Sequence, residues 1–194
     1  MTQAIPQPKL KLTFEEYLAY DDGTDNRYEL VNGELATLNL PRAKHSKVGR
    51  FLYWRLDKAI DQKGDDWIVC WDYGVRTGAK RSRLPDLTII TADQENELLD
   101  SDAEAVLEEA PILAVEIVSP NDPVRDYRYK RSEYAVRGIP EYWIVDPIKG
   151  KVVVLTLVDG FYEEAVFEGN ARIISPTFPD LDLTAEEVFM AKRR

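Results

Sequence analysis

Cysteine and histidine are almost missing from this sequence: 194 residues hold one of each, Cys70 and His45. A single cysteine excludes an internal disulfide, and one Cys with one His excludes a Cys/His zinc site. Cys70 lies in the apolar run Trp67-Ile68-Val69-Cys70-Trp71, where a buried thiol is expected rather than a nucleophile. Long hydrophobic runs are missing too. No stretch approaches the roughly 18 apolar residues of a membrane helix. Residues 1–8 lack the basic-then-apolar pattern of a signal peptide, so a cytoplasmic protein with no membrane association is expected. There is no internal repeat and no low-complexity tract.

An excess of positive charge is also absent. The net charge is −10, which argues against loose, non-specific binding to nucleic acid. The charge is unevenly placed, however. Residues 93–109 hold eight acids and no base, residues 79–84 three bases and no acid, and residues 124–137 five bases and two acids. An acidic chain can thus carry a basic cleft, although ordinary solvated surface charge gives the same pattern.

With 44% hydrophobic residues and many aromatics, there is ample material for a core in a chain of one-domain length. An arm over residues 1–12 and one domain over 13–194 are expected. Thr13-Phe14-Glu15-Glu16 is a capping box opening a short helix to about Tyr20. Residues 27–31 and 33–38 read as strands about the turn Asn32-Gly33, a strong hairpin signal. Val48, Phe51, Leu52, Leu56, Ala59 and Ile60 recur at helical spacing, with Ser46 as N-cap and Gly64 as the stop. Residues 67–72 and 74–77 are strand-like, and residues 78–83 read as a basic loop. The acidic stretch 93–109 reads as part helix, part loop. A helix is expected from Asp126 to Arg137, closed by Gly138 and Pro140. Residues 141–145, 151–158 and 161–167 then make a meander. A second capping box, Thr184-Ala185-Glu186-Glu187, opens a terminal helix. Interleaved helices and hairpins indicate an α/β or α+β domain with a mixed central sheet.

Two short β-branched runs stand out, Arg83-Leu84-Pro85-Asp86-Leu87-Thr88-Ile89-Ile90 and Leu113-Ala114-Val115-Glu116-Ile117-Val118. Each carries one carboxylate where a buried strand should be apolar. An isolated buried carboxylate is costly unless it meets a cation. Side by side, the two runs would set Asp86 and Glu116 on one rim, a seat for Mg²⁺ or Mn²⁺, which prefer oxygen ligands. Pro85 has no N–H to give a ladder, so it places Asp86 at a strand start. Equally, Asp86 could cap a turn and Glu116 could pair with an arginine. Downstream, Tyr127, Lys130, Arg131 and Tyr134 fall on one helical face. Lys130 then either aims its ammonium at such a site or snorkels to solvent. Glu29 is a third carboxylate in an apolar setting, with Glu34 competing across the hairpin. His45 either contacts a phosphate or moves a proton, or is structural.

Taken in order, several segments resemble the PD-(D/E)xK nuclease superfamily, and within it the Uma-two family of restriction-endonuclease-like proteins. They are Tyr28-Glu29-Leu30-Val31-Asn32-Gly33-Glu34, His45, Arg83-Leu84-Pro85-Asp86, Val115-Glu116-Ile117-Val118-Ser119-Pro120, and Asp126 with Lys130 and Tyr134. Residues 138–147, Gly-Ile-Pro-Glu-Tyr-Trp-Ile-Val-Asp-Pro, extend the match. The resemblance spans about residues 13–165 and departs at one point: the superfamily lysine would stand at 118, where this chain has Val118. It implies that Lys130, on the following helix, takes that role.

The resemblance further implies a restriction-endonuclease-like mixed central sheet flanked by helices, with an N-terminal hairpin and a C-terminal meander. Asp86 and Glu116 would bind Mg²⁺ or Mn²⁺, Glu29 would support them, and Lys130 would act on water or phosphate in the hydrolysis of DNA. His45, Arg81, Arg83, Arg125, Arg128 and Arg131 would hold the nucleic-acid backbone. The meander edge offers a surface for a homodimer. The rival reading is a catalytically inactive protein of this fold that binds nucleic acid or a protein partner.

Overall fold

Runs of β-branched residues with period two form the sheets, and stretches of period 3.6 form the covering helices. The computed structural model describes residues 11–101, 104–120 and 123–192. The elements are α1 (Phe14–Leu18), β1 (Tyr28–Val31), β2 (Glu34–Thr37), α2 (Ala43–Lys63), β3 (Trp67–Cys70), β4 (Gly74–Gly78) and β5 (Arg81–Arg83). β6 (Leu87–Thr91), α3 (Ala92–Ser101), β7 (Val106–Leu107) and β8 (Leu113–Ile117) follow. A π-helical stretch (Arg125–Lys130) runs into α4 (Arg131–Arg137), and β9 (Glu141–Asp146), β10 (Lys151–Val158), β11 (Phe161–Glu168) and α5 (Ala185–Met190) complete the chain.

The strands build two mixed sheets flanked by helices, in keeping with the mixed α+β fold expected. The larger has the order β11-β10-β9-β8-β6-β3, and the smaller β2-β1-β5-β4-β7. In the larger sheet β8 and β9 are parallel and their neighbours antiparallel. The helical segment 125–137 is the crossover between that parallel pair. Side chains on β8 alternate. Leu113, Val115 and Ile117 join Val48, Leu52 and Leu56 of α2 and Val188 of α5 in one core. Ala114 and Val118 join Tyr134, Ile139, Tyr142 and Ile144 in the core on the other face. All six residues of β9 are buried, as in a strand covered on both faces.

Several sequence expectations hold. Both capping boxes form. The hairpin turns at Asn32 (φ 52°) and Gly33 (φ 85°), the left-handed pair of a type I′ turn. A Cβ on Gly33 would lie 3.1 Å from the Leu12 carbonyl oxygen, so close approach reinforces the choice of glycine. Gly64 and Gly138 end their helices in the left-handed conformation. Most of the arm expected over 1–12 lies outside the described residues. Leu12, at its end, is buried against Phe14 and Leu30.

Four expectations need correction. The run from Arg83 to Ile90 is not one strand. It leaves the small sheet after Arg83 and enters the large one at Leu87, because Pro85 cannot extend either ladder. The basic loop 78–83 is mostly the tight hairpin of β4 and β5, registered at Val75↔Arg83 and Arg76↔Ser82. Helix α2 starts at Ala43, with Arg42 as its N-cap and no side-chain cap, so Ser46 is internal and His45 lies in the first turn. The apolar period starts only at Val48 because the first turn overhangs a cleft, and periodicity reports burial rather than helicity. Finally, the crossover begins as a π-helix, which has no pattern in local sequence; such turns often occur at functional sites.

Candidate active site

The ladder between β6 and β8 sets the geometry. It pairs Leu87 with Val115, Thr88 with Ala114 and Ile89 with Leu113. Asp86 immediately precedes β6 and meets the end of β8, where Glu116 points to the face that carries α4. Asp86 Oδ2 accepts the Ile117 N–H at 2.6 Å and lies 3.2 Å from His45 Nε2. Burial disfavours a charged His45, but the Asp86 carboxylate outweighs it and raises the imidazole pKa.

Glu116 is buried. Its Oε1 accepts from Lys130 Nζ and from the Tyr134 hydroxyl, both at 2.6 Å. Burial pushes its pKa up to about 8 despite the nearby ammonium. Lys130 Nζ also lies 3.1 Å from Glu29 Oε1 and 3.9 Å from Asp126 Oδ1. Burial works against its charge, yet Glu116, Glu29 and Asp126 hold its pKa above the ordinary lysine value.

Glu29 reaches this centre from β1 of the smaller sheet. Burial opposes its ionisation, but Lys130, Arg83 and Arg125 bring it down to about 2. Its Oε2 is 2.9 Å from Arg83 Nη1, and its Oε1 accepts the Leu84 N–H at 3.2 Å. Arg83 in turn forms a two-point contact with Glu133 through Nε and Nη2, both at 2.7 Å, and Thr77 donates to the same carboxylate. Asp126 is raised to about 6, chiefly by burial. Its Oδ1 is buried and accepts no hydrogen bond.

The sequence-predicted set Asp86, Glu116, Lys130 and Glu29 is therefore brought together, with Glu29 directly on the lysine. Glu34 sits on β2 opposite Val31 and lines a different hollow. The arginines scatter. Arg83, read from sequence as holding a nucleic-acid backbone, is 3% exposed and committed to Glu133 and Glu29. Arg131 points to Glu164 and the Tyr162 carbonyl on β11. Arg81 binds the Asn32 side chain. Arg125 lies between Glu29 and Asp126 and lines the cleft above Asp86 and Glu116.

That cleft has a volume of about 800 Å³. Its cations include Arg42, Lys44 and Arg50 from the start of α2, which the sequence reading missed. Asp126 was missed as a site acid as well. Its i,i+4 spacing to Lys130 was the available signal.

Losing Arg83 would strand two buried carboxylates. The expected result for Arg83→Met is a loss of about 3–5 kcal/mol of stability, read from urea midpoints at an unchanged slope. A midpoint equal to that of the wild type would show that Glu29 and Glu133 do not depend on it.

Among known proteins, a family model described as "Uma2: Putative restriction endonuclease" matches residues 14–186. A crystal structure described as a "putative nuclease belonging to DUF820" from Anabaena variabilis superposes with a TM-score of 0.75 at 20% identity. The match covers 93% of this chain and 98% of that one. No curated protein matches the sequence.

Proposed function

The chain belongs to the Uma2 family of restriction-endonuclease-type proteins, and from that premise we propose that it is a divalent-metal-dependent endonuclease hydrolysing phosphodiester bonds in DNA. One observation carries this reading: Asp86 binds the Ile117 N–H next to Glu116, Lys130 Nζ lies 2.6 Å from Glu116, and all three line one basic cleft.

The residues present fit a bound Mg²⁺ or Mn²⁺. Among the described residues, the buried acids Glu29, Glu116, Asp126 and Glu133 are paired with three permanent cations, Arg83, Arg125 and Lys130, and Asp86 adds a fifth carboxylate beside His45. A divalent ion would balance that excess of negative charge. Among the described residues no group of three or more His, Cys, Asp or Glu side chains forms a metal cage. An open two-carboxylate seat suits Mg²⁺, which keeps waters and takes substrate phosphate oxygens as further ligands. Asp86 and Glu116 would hold the ion. When bound, it supplies a Lewis acid for the phosphate and a more acidic water.

The chain's own groups do the rest. Lys130 stays an ammonium at neutral pH, so it stabilises charge developing on the phosphate rather than taking a proton. Asp126, which lines the cleft beside Lys130, helps to orient water there. Asp86 is oriented by the Ile117 N–H and His45. Arg42, Lys44, Arg50 and Arg125 hold backbone phosphates, which reconciles an acidic chain with an anionic substrate. Arg81 and Arg128 extend that contact towards the neighbouring hollow.

The test is cleavage of supercoiled plasmid. Nicking or linearisation is expected with Mg²⁺ or Mn²⁺, and none after chelation with EDTA. DNA binding without cleavage under either ion would establish a non-cutting, binding role instead.

A further inference from the structure

Three of the four tryptophans, Trp54, Trp67 and Trp143, are partly or fully buried. The fourth, Trp71, is 39% exposed and lines the cleft that holds Asp86 and Glu116. A single exposed apolar side chain is ordinary on a protein surface. This one, however, is immobilised. Tyr53 of α2 stacks on it at 5.4 Å between centroids and 16° between planes. Gly49, one turn earlier on α2, makes room for the ring. A Cβ there would lie 3.2 Å from Trp71 Cζ3 and 3.3 Å from Ile117 Cδ1. Glycine inside a helix is disfavoured, so its presence here follows from the close approach of the indole. The next residue, Asp72, is in the left-handed conformation (φ 60°) and ion-pairs with Arg27, which fixes the chain leaving the ring. Ile117, which like the ring lies against Gly49, is the residue whose N–H binds Asp86.

The cleft therefore combines a fixed π-surface, a group of cations (Arg42, Lys44 and Arg50) and an acid pair. A ligand matching all three carries negative charge and an aromatic face free of other stacking. Bases inside a duplex have no free face, whereas single strands and flipped nucleotides do. We infer that Trp71 is a base-stacking residue, and that the substrate strand presents an unpaired nucleobase beside the scissile phosphate. This inference rests on the nuclease reading above and specifies its substrate class.

The test measures binding, not cutting. Fluorescence anisotropy in EDTA would compare a 20-mer oligothymidylate, a 20-mer phosphodiester lacking bases and a 20-base-pair duplex on the full chain. Trp71→Ala is expected to weaken oligothymidylate binding by about fivefold to a hundredfold, with base-free affinity unchanged. Trp71→Phe keeps the aromatic face and should stay within about twofold of wild type. Equal losses on the base-bearing and base-free oligomers, or no loss on either, would overturn the inference while leaving the nuclease reading intact. No binding to any of the three would overturn both. Base-dependent loss in a protein that never cleaves with metal would retain the stacking role and remove the catalytic one.

Discussion

Lys130→Met should abolish cleavage and destabilise the fold together. The ammonium is 1% exposed and sits between Glu116 at 2.6 Å and Glu29 at 3.1 Å. Removing one partner of a buried ion pair typically costs about 3–5 kcal/mol, because the other charge is left uncompensated. Loss of a preorganised cation at a developing phosphate charge costs at least about 100-fold in rate. The two effects can be separated. Glu29→Gln on the Lys130→Met background removes one stranded charge, so part of the stability should return without any cleavage. Urea denaturation and plasmid nicking on the single and double variants read each effect. A Lys130→Met protein that is destabilised but cuts normally would make the lysine purely structural.

The second large effect concerns the acid pair. Glu116→Gln keeps an oxygen for the Tyr134 hydroxyl and the Lys130 ammonium, and Asp86→Asn keeps one for the Ile117 N–H. Both variants should fold. Glu116→Gln should lose less stability than Lys130→Met, since Lys130 keeps Glu29 as a partner at 3.1 Å. Cleavage should fall at least about 100-fold in each, because a metal ligand is lost. Mn²⁺ binding, followed by calorimetry, should weaken in parallel. Wild-type cleavage in either variant would remove that residue from the metal seat. Lost cleavage with unchanged Mn²⁺ affinity would assign the residue to orientation instead.

The local chemistry of the chain was legible without coordinates. Capping boxes at Thr13 and Thr184, the Asn32-Gly33 turn and the glycine stops at 64 and 138 each depend on a few adjacent residues, so sequence reports them directly. The nearness of Asp86 and Glu116 was legible in part, since each is a lone carboxylate in a β-branched run, and strand periodicity fixes the face that Glu116 shares with Ala114 and Val118. The run around Asp86 misled as to its length. Arg83 and Leu87 have the same strand-like character, and only the division into two sheets shows that Pro85 separates them.

Other features were hidden because they arise from packing. Arg83 and Arg125 look alike as sequence, yet one is buried between Glu29 and Glu133 while the other lines the cleft. No composition rule separates them, since the difference lies in which carboxylates the fold brings near. The π-helical turn at 125–130 also has no local signature, and it places both Asp126 and Lys130 in the interior. Gly49 reads as a weak point in α2 until Trp71 is seen against it.

Sequence by itself thus determined most of the helices and strands, the two capping boxes, the hairpin turn and the glycine stops, because these follow from side-chain periodicity and short-range hydrogen bonding. Tertiary structure alone decided the charge balance of the site. It set Glu29 on Lys130, left Asp126 Oδ1 without a donor, withdrew Arg83 from the surface and brought the start of α2 over Asp86. The reason is physical: burial and the distance to opposite charge set the state of an ionisable group, and both depend on contacts between residues far apart in the chain.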